Sequence, residues 1–349
     1  MILPFRPKRP TGGFRIMYEY ANRLTQRGYE VRIYYPIKTK YMNYRFKSYW
    51  IRKLITVVEG INSYNWFELD SRIKRSFIPE VTDKYIEDGD IVMSTWWSTS
   101  AEMGHLDLSK GKKINVIQGF ENWEGHEDEL FESYNMPNTT NIVISSYLKT
   151  VVEKYSKNPL YVIQNAVETS TFYARNPIET RNRYRISMLH SEQVIKGVKY
   201  GMEALTIIKA KHPELHVDLF GIYPKPNNLP EWINYIREPK DIAAMHNQNA
   251  IYMGNSLTEG MALAPLESLF CGCALVCTDI PGQREYAKDG ETALLVPTKD
   301  PQAMADRVCY LIENDEERIA LAKRGNAYVQ RFSWEDTMIK LEEVFANLQ

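Results

Sequence analysis

Glu259 and Glu267 lie eight positions apart in the stretch 256–297, which reads as a loop running into a helix near Ala264 and Pro265. A helix that begins there turns its unbonded backbone N–H groups, and the positive end of its dipole, toward the loop, which suits phosphate oxygens. Pro265 fits the first helical turn, where its missing N–H costs nothing. The small residues Gly260, Ala262 and Ala264 let a ligand come close to the backbone. Glu267, about one turn into the helix, can accept hydrogen bonds from a vicinal diol such as a ribose. Glu259, at the mouth of the loop, can do the same for sugar hydroxyls. The pattern reads as a site for an anion and a diol, and the same spacing equally suits two acids on a solvated face.

The elements that must hold this loop come in an alternating order. Strand-like apolar runs alternate with helical ones along the chain, which predicts βα units and a parallel sheet. At 349 residues the chain is too long for one ordinary core, so two α/β domains are expected. In the first half the pattern predicts a helix over 14–27 ending at Gly28, with Gly12 and Gly13 just ahead of it. Strands are predicted over 30–35, 91–94, 113–117, 141–144 and 161–163. In the second half, strand 185–189 leads to helix 199–211, strand 216–220, helix 240–247, strand 250–253 and helix 265–270. Strands 274–278 and 292–296, helix 301–314 and an amphipathic helix over 334–348 complete the chain. The polar stretch near 167–184, which contains Pro177, reads as the linker between domains.

Composition narrows the classes. With 44% hydrophobic and 25% charged residues the chain is globular, and no apolar run approaches a membrane span. No secretory signal is visible at the start, which looks clipped within its first strand. Cys271, Cys273 and Cys277 lack metal-ligand spacing and read as buried reduced thiols, which predicts a cytoplasmic setting. Residues 1–80 hold 16 Lys or Arg against 6 Asp or Glu, although the whole chain carries −1. Within them, 38–53 interleaves cations with aromatic rings, a composition suited to anionic lipid headgroups. A solvated basic face and nucleic acid are the other readings of that stretch, and nucleic acid is not expected as a partner. Asp88-Gly89-Asp90 has the form of a metal-binding Asp-x-Asp but precedes a strand, so it reads as a turn and no metal is expected.

The run Glu259-Gly260-Met261-Ala262-Leu263-Ala264-Pro265-Leu266-Glu267-Ser268 resembles the donor motif of the family 4 retaining glycosyltransferases. The likeness continues through Cys271-Gly272, Gly282, Glu285, Asp289-Gly290 and Leu295-Val296-Pro297. Lys196-Gly197 resembles the family's Lys-Gly pair, Asn165-Ala166-Val167-Glu168 with Phe172 its interdomain signature, and Phe332-Ser333-Trp334 the start of its last helix. Gly12-Gly13 resembles its glycine loop. The resemblance implies a GT-B fold: α/β, with two Rossmann-like parallel-sheet domains facing a cleft and a C-terminal helix crossing back to the N-terminal domain. The implied domains are 1–168 with 333–349, and 169–332. It further implies transfer of a sugar from a UDP- or GDP-type donor to a glycan or lipid-linked acceptor, without cofactor or metal. Cell-surface polysaccharide or glycolipid synthesis at the inner face of the membrane is the implied setting.

Under this resemblance Lys196 stabilises the leaving phosphate and Glu259 shares the catalytic site. Gly260, Met261, Ala262, Leu263, Ala264, Glu267, Gly12 and Gly13 bind the donor. The chain departs from the family at Ser191, where an Arg is usual; the loss of that cation implies slower catalysis, a shifted donor choice, or compensation by Arg15 or Arg284. The usual histidines of the first domain are absent, and Glu121, at the end of a predicted strand, is a candidate contact for donor or acceptor. Ser191 and Arg15 are candidates of the same kind. These departures keep two other readings open: a binding subunit that has lost turnover, and an epimerase or phosphorylase of the same architecture.

Overall fold

The structure is a computed structural model and describes residues 1–40, 48, 50–54, 66–122 and 125–348. It divides into two compact units, Met1–Gln164 with Thr337–Gln349, and Asn165–Asp336. The expected linker near 167–184 is instead an integral part of the second unit. Ile178 packs into that unit's core, and the Arg181 guanidinium, in a side chain only 7% exposed, bonds to the carbonyls of Asn176, Asn249 and Cys271. Polarity there reflects a buried cation whose Nη groups donate to backbone oxygens.

In the first unit, β1 (Arg32–Pro36) pairs in parallel with β2 (Lys74–Ile78). The strands β3 (Ile91–Thr95), β4 (Lys112–Ile117), β5 (Thr139–Val143) and β6 (Leu160–Val162) form a second parallel ladder in that order. Ile2 bridges Tyr34 on one ladder and Ser94 on the other, so the two join into one sheet. Helix α1 (Gly12–Gln26) begins at the two glycines themselves, buries Phe14, Met17, Tyr18, Ala21 and Leu24 at helical spacing, and ends before Gly28 at φ +95°. Short helices α2 (Trp97–Gly104), α3 (Glu127–Tyr134) and α4 (Ser146–Val152) follow β3, β4 and β5. Half of the basic aromatic stretch 38–53 lies outside the described residues.

The second unit is a six-stranded parallel sheet. Its strands are β7 (Arg185–Leu189), β8 (His216–Gly221), β9 (Ile233–Arg237), β10 (Ile251–Gly254), β11 (Ala274–Thr278) and β12 (Leu294–Val296). They lie in the order β12-β11-β10-β7-β8-β9. The interior strands β10 and β11 are buried along their whole length, as strands covered on both faces must be. Helices α5 (Val198–Lys211), α6 (Ile242–Gln248), α7 (Leu263–Phe270), α8 (Pro301–Glu313) and α9 (Asp315–Val329) complete the unit. The last helix, α10 (Trp334–Ala346), starts here, and from Thr337 its residues belong to the first unit. There Arg27 pairs with Glu342 at 2.9 Å and the Tyr29 ring meets Phe345 edge-on.

Asp88-Gly89-Asp90 is irregular backbone ending in a bend at the leading end of β3, with Asp88 accepting from Lys110 Nζ at 2.6 Å. All four cysteines are free and buried, and burial raises the Cys271, Cys273 and Cys277 thiols above the ordinary range. Among the described residues no helix is long and apolar enough to cross a membrane.

Candidate functional site

The loop between β10 and α7 is held at several points. Gly197 has φ +61°, and a Cβ there would stand 2.0 Å from the Asn255 carbonyl oxygen, so only glycine fits. Behind it, Leu257 N–H donates to the Ile195 carbonyl at 2.7 Å, which ties the loop to the 3₁₀ turn carrying Lys196. From the other side, a Cβ on Gly282 would meet the Glu259 carbonyl oxygen at 2.2 Å. Thr278 donates to the Ser256 carbonyl at 2.5 Å, and buried Asn165 donates to the Met261 carbonyl at 3.1 Å. The glycines thus set the approach of three segments and the buried hydroxyl and amide fix the path of the backbone.

This scaffold presents a recess of about 50 Å³ lined by Lys196, Tyr252, Ser256, Glu259 and the start of α7. Lys196 Nζ donates to Glu259 Oε1 at 2.5 Å, and Ser256 Oγ donates to the same oxygen at 2.8 Å. The two charged side chains are 23% and 13% exposed, so the pair is half-buried and weakly screened. An ammonium carries three N–H donors, and Glu259 takes one of them. At the far wall Ala262 is the N-cap of α7 and offers no capping side chain, while Pro265 sits in the first turn. The amides of Leu263 and Ala264 therefore face the recess at the positive end of the helix. A cation, amides and a fixed carboxylate around one small volume can bind an anion beside a hydroxyl-bearing group.

Of the residues expected here, Lys196, Glu259, Ala262, Leu263 and Ala264 line this recess. Gly260 and Met261 are buried in the loop beneath it, and Glu267 is buried on α7. Glu267 and Glu259 still act on one common group. The Tyr252 hydroxyl, inaccessible on β10, is held well above the usual tyrosine range by burial, with the Glu267 and Glu259 carboxylates adding to it. Ser191 does not reach the recess; its hydroxyl accepts from Gln193 N–H at 3.2 Å and shapes the turn ahead of Lys196. Arg284, expected as a compensating cation, forms a bidentate pair with Asp279 at 2.7 and 2.9 Å.

The first unit gathers its own candidates at the trailing ends of β3 and β4, the end of a parallel strand where ligands bind. Gln118 Nε2 donates to the Gly13 carbonyl at 3.1 Å and to Thr95 Oγ1 at 3.0 Å, tying the start of α1 to the end of β3. Trp96 follows with φ +72°, strained for a bulky residue, and packs edge-on to Phe5 at 5.8 Å. Glu121 is half-buried and accepts from Trp97 N–H at 3.1 Å; burial raises its carboxyl to about 7. It is therefore the acceptor at the first turn of α2 rather than a solvated loop acid. Arg15 lies on α1, next to the glycines.

Sequence reasoning missed Gln118, Tyr252 and Ser256, and took Asn165 only as part of a signature. None of these types carries a periodic signal, since each acts through one hydrogen bond or one buried hydroxyl whose partner is distant in sequence.

Residues 174–328, all within the second unit, match the model of the family described as glycosyl transferases group 1. The chain is 32% identical over 112 residues to a D-inositol 3-phosphate glycosyltransferase of Corynebacterium urealyticum, covering 32% of this chain and 26% of that protein. It is 23% identical over 199 residues to a phosphatidyl-myo-inositol mannosyltransferase of Mycobacterium tuberculosis, covering 52% of this chain and 53% of that one. The matches thus span about a quarter to about half of these relatives' length. Among solved structures, HepE from Anabaena in complex with UDP superposes with a TM-score of 0.74 at 13% identity over 99% of both chains. Sucrose-phosphate synthase from Thermosynechococcus elongatus superposes with a TM-score of 0.72 at 14% identity over 99% of this chain and 98% of that one. At such identity the likeness establishes the fold, which is GT-B with two Rossmann-like parallel-sheet units.

Proposed function

We propose that this chain is a glycosyltransferase that takes a sugar from a UDP- or GDP-type donor and passes it, with retention, to a glycan or lipid-linked acceptor. The observation that carries the reading is the Lys196–Glu259 pair set against the uncapped first turn of α7. Displacement of a nucleoside diphosphate from an anomeric carbon builds negative charge on the leaving phosphate. Lys196, through its two remaining N–H donors, and the Leu263 and Ala264 amides meet that charge with groups already in place. Glu259, fixed by Lys196 and Ser256, takes hydroxyls of the transferred sugar, and Glu267 the nucleoside diol. No step calls for a metal, since the Lys196 ammonium and the helix end supply the positive field. A relative named for acting on phosphatidyl-myo-inositol supports a lipid-linked acceptor, and the cations interleaved with aromatic rings over 38–53 support work at the cytoplasmic face of an anionic membrane.

The test is donor hydrolysis and nucleotide binding with a panel of UDP- and GDP-sugars, in wild type, Lys196→Ala and Glu267→Ala. Thermal protection by one nucleotide and slow hydrolysis, both lost in the variants, is the expected result. If no nucleotide in the panel protects the protein, the reading fails. A subunit without turnover is the second reading, favoured by Ser191 turning away from a recess whose lining includes the single cation Lys196 among the described residues. Hydrolysis that disappears in Lys196→Ala removes it.

A further inference from the structure

At the opposite end of β7 from the recess, the second unit has an open pocket of about 380 Å³. Asn176, Thr180, Arg181, Asn182, Arg185 and Gln248 line it, and no carboxylate is among its described lining residues. Arg181 is buried and donates to neutral oxygens, namely the Asn176, Asn249 and Cys271 carbonyls and Asn247 Oδ1. Its Nε–H is buried without an acceptor. Burial is the main force against its charge, and the nearby Arg318 guanidinium adds to it.

Arg185 donates through Nη2 to Asp218 at 2.8 Å, but its Nε–H also lacks an acceptor, and its side chain is 36% exposed. Asp218 is itself shared with Asn234 and Asn249, so its charge is spread over three donors. The flanking acids are engaged elsewhere, Glu179 with Lys323 and Asp241 with Arg175. A buried cation with no counter-ion is expensive, and two guanidinium groups with orphaned N–H donors at one pocket make a strong field for an anion.

We propose that Arg181 and Arg185 build an oxyanion site in this pocket, for inorganic phosphate, pyrophosphate or a phosphate group of similar size, separate from the Lys196 recess. The exposed fork of Arg185 would hold the oxyanion directly, with the Thr180 hydroxyl and the Asn182 and Gln248 amides at the rim. Arg181 would act from behind through its charge. Leu189, at the other end of β7, lines the recess, and a strand advances about 3.3 Å per residue, so roughly 13 Å separates the two ends. One ligand group cannot serve both places, and the proposal does not depend on the donor reading.

The experiment is calorimetric titration of the full chain with phosphate and with pyrophosphate at constant ionic strength. It compares Lys196→Ala, in which the recess has lost its cation, with Lys196→Ala/Arg185→Gln and Lys196→Ala/Gln248→Glu. Gln248→Glu changes an exposed rim residue and keeps the protein folded while placing a negative charge at the pocket. Both pocket substitutions are expected to weaken anion binding about tenfold or more relative to Lys196→Ala alone. Absence of binding by either anion up to about 10 mM, well above the millimolar range of a weak specific site, would overturn the proposal. So would binding by Lys196→Ala that survives both pocket substitutions.

Discussion

The two units hold their candidate residues by different means. In the second unit the loop before α7 is set by backbone close to backbone: Gly197 and Gly282 touch carbonyls that any side chain would displace, and Asn165 and Thr278 bond to the loop's own carbonyls. In the first unit, side chains do the tying. Gln118 joins α1 to β3, Glu121 meets the start of α2, and Trp96 is held in a strained conformation between them. A backbone-built site demands glycine at fixed places and so leaves a pattern in the sequence. A site tied by side chains can be built from many residue types and leaves little.

The comparison makes predictions that differ in size. The largest effect belongs to Lys196→Ala, which should lower kcat/KM for donor turnover by about 10²–10³-fold, the usual effect of removing one group from a preorganised oxyanion site. Its thermal midpoint should stay near that of wild type. Next come Gly197→Ala and Gly282→Ala, each expected to lower stability by about 1–3 kcal/mol or more because the new Cβ meets fixed backbone. Urea unfolding measures this, and an unchanged midpoint would mean that the loop gives way easily. Asn165→Ala removes a buried bond to the Met261 carbonyl and should destabilise by about 1–3 kcal/mol. Nucleotide affinity should fall with it.

The smallest effect sharpens the other side of the comparison. Glu121 and Glu102, both in the first unit, are raised from an ordinary 4.5 to about 7, chiefly by burial. Each folded carboxyl therefore holds its proton more tightly than the unfolded one. The stability this gives is complete below about pH 4.5 and is lost as pH rises through about 7. Glu121→Gln and Glu102→Gln should each flatten that decline when unfolding is followed across pH 4.5 to 7.5. An unchanged slope in both variants would place the titrating groups elsewhere.

The same contrast explains what could be read from the sequence. Strands β7 and β11 start and end where their apolar runs do, since buried parallel strands are continuous in composition. Strand β2, KRSFI, was not expected: it is an edge strand with only Ile78 buried, so its residues carry no alternation. Strand β9, at the other sheet's edge, buries Ile233 alone. The expected helix over 301–314 is followed by a second one, α9, whose inward face includes the fully buried Arg318 and Gly325, neither of which reads as apolar. The Glu259 to Glu267 stretch was legible because its small residues and proline each have one physical use there. The roles of Gln118 and Tyr252 depend on partners that only the fold brings near.

Titration of UDP and GDP into wild-type protein and Lys196→Ala tests the central claim most directly. One of the two nucleotides should bind, with affinity falling at least about tenfold when the ammonium is removed. Failure of both to bind, or equal binding by the variant, would contradict a diphosphate site between Lys196 and the start of α7.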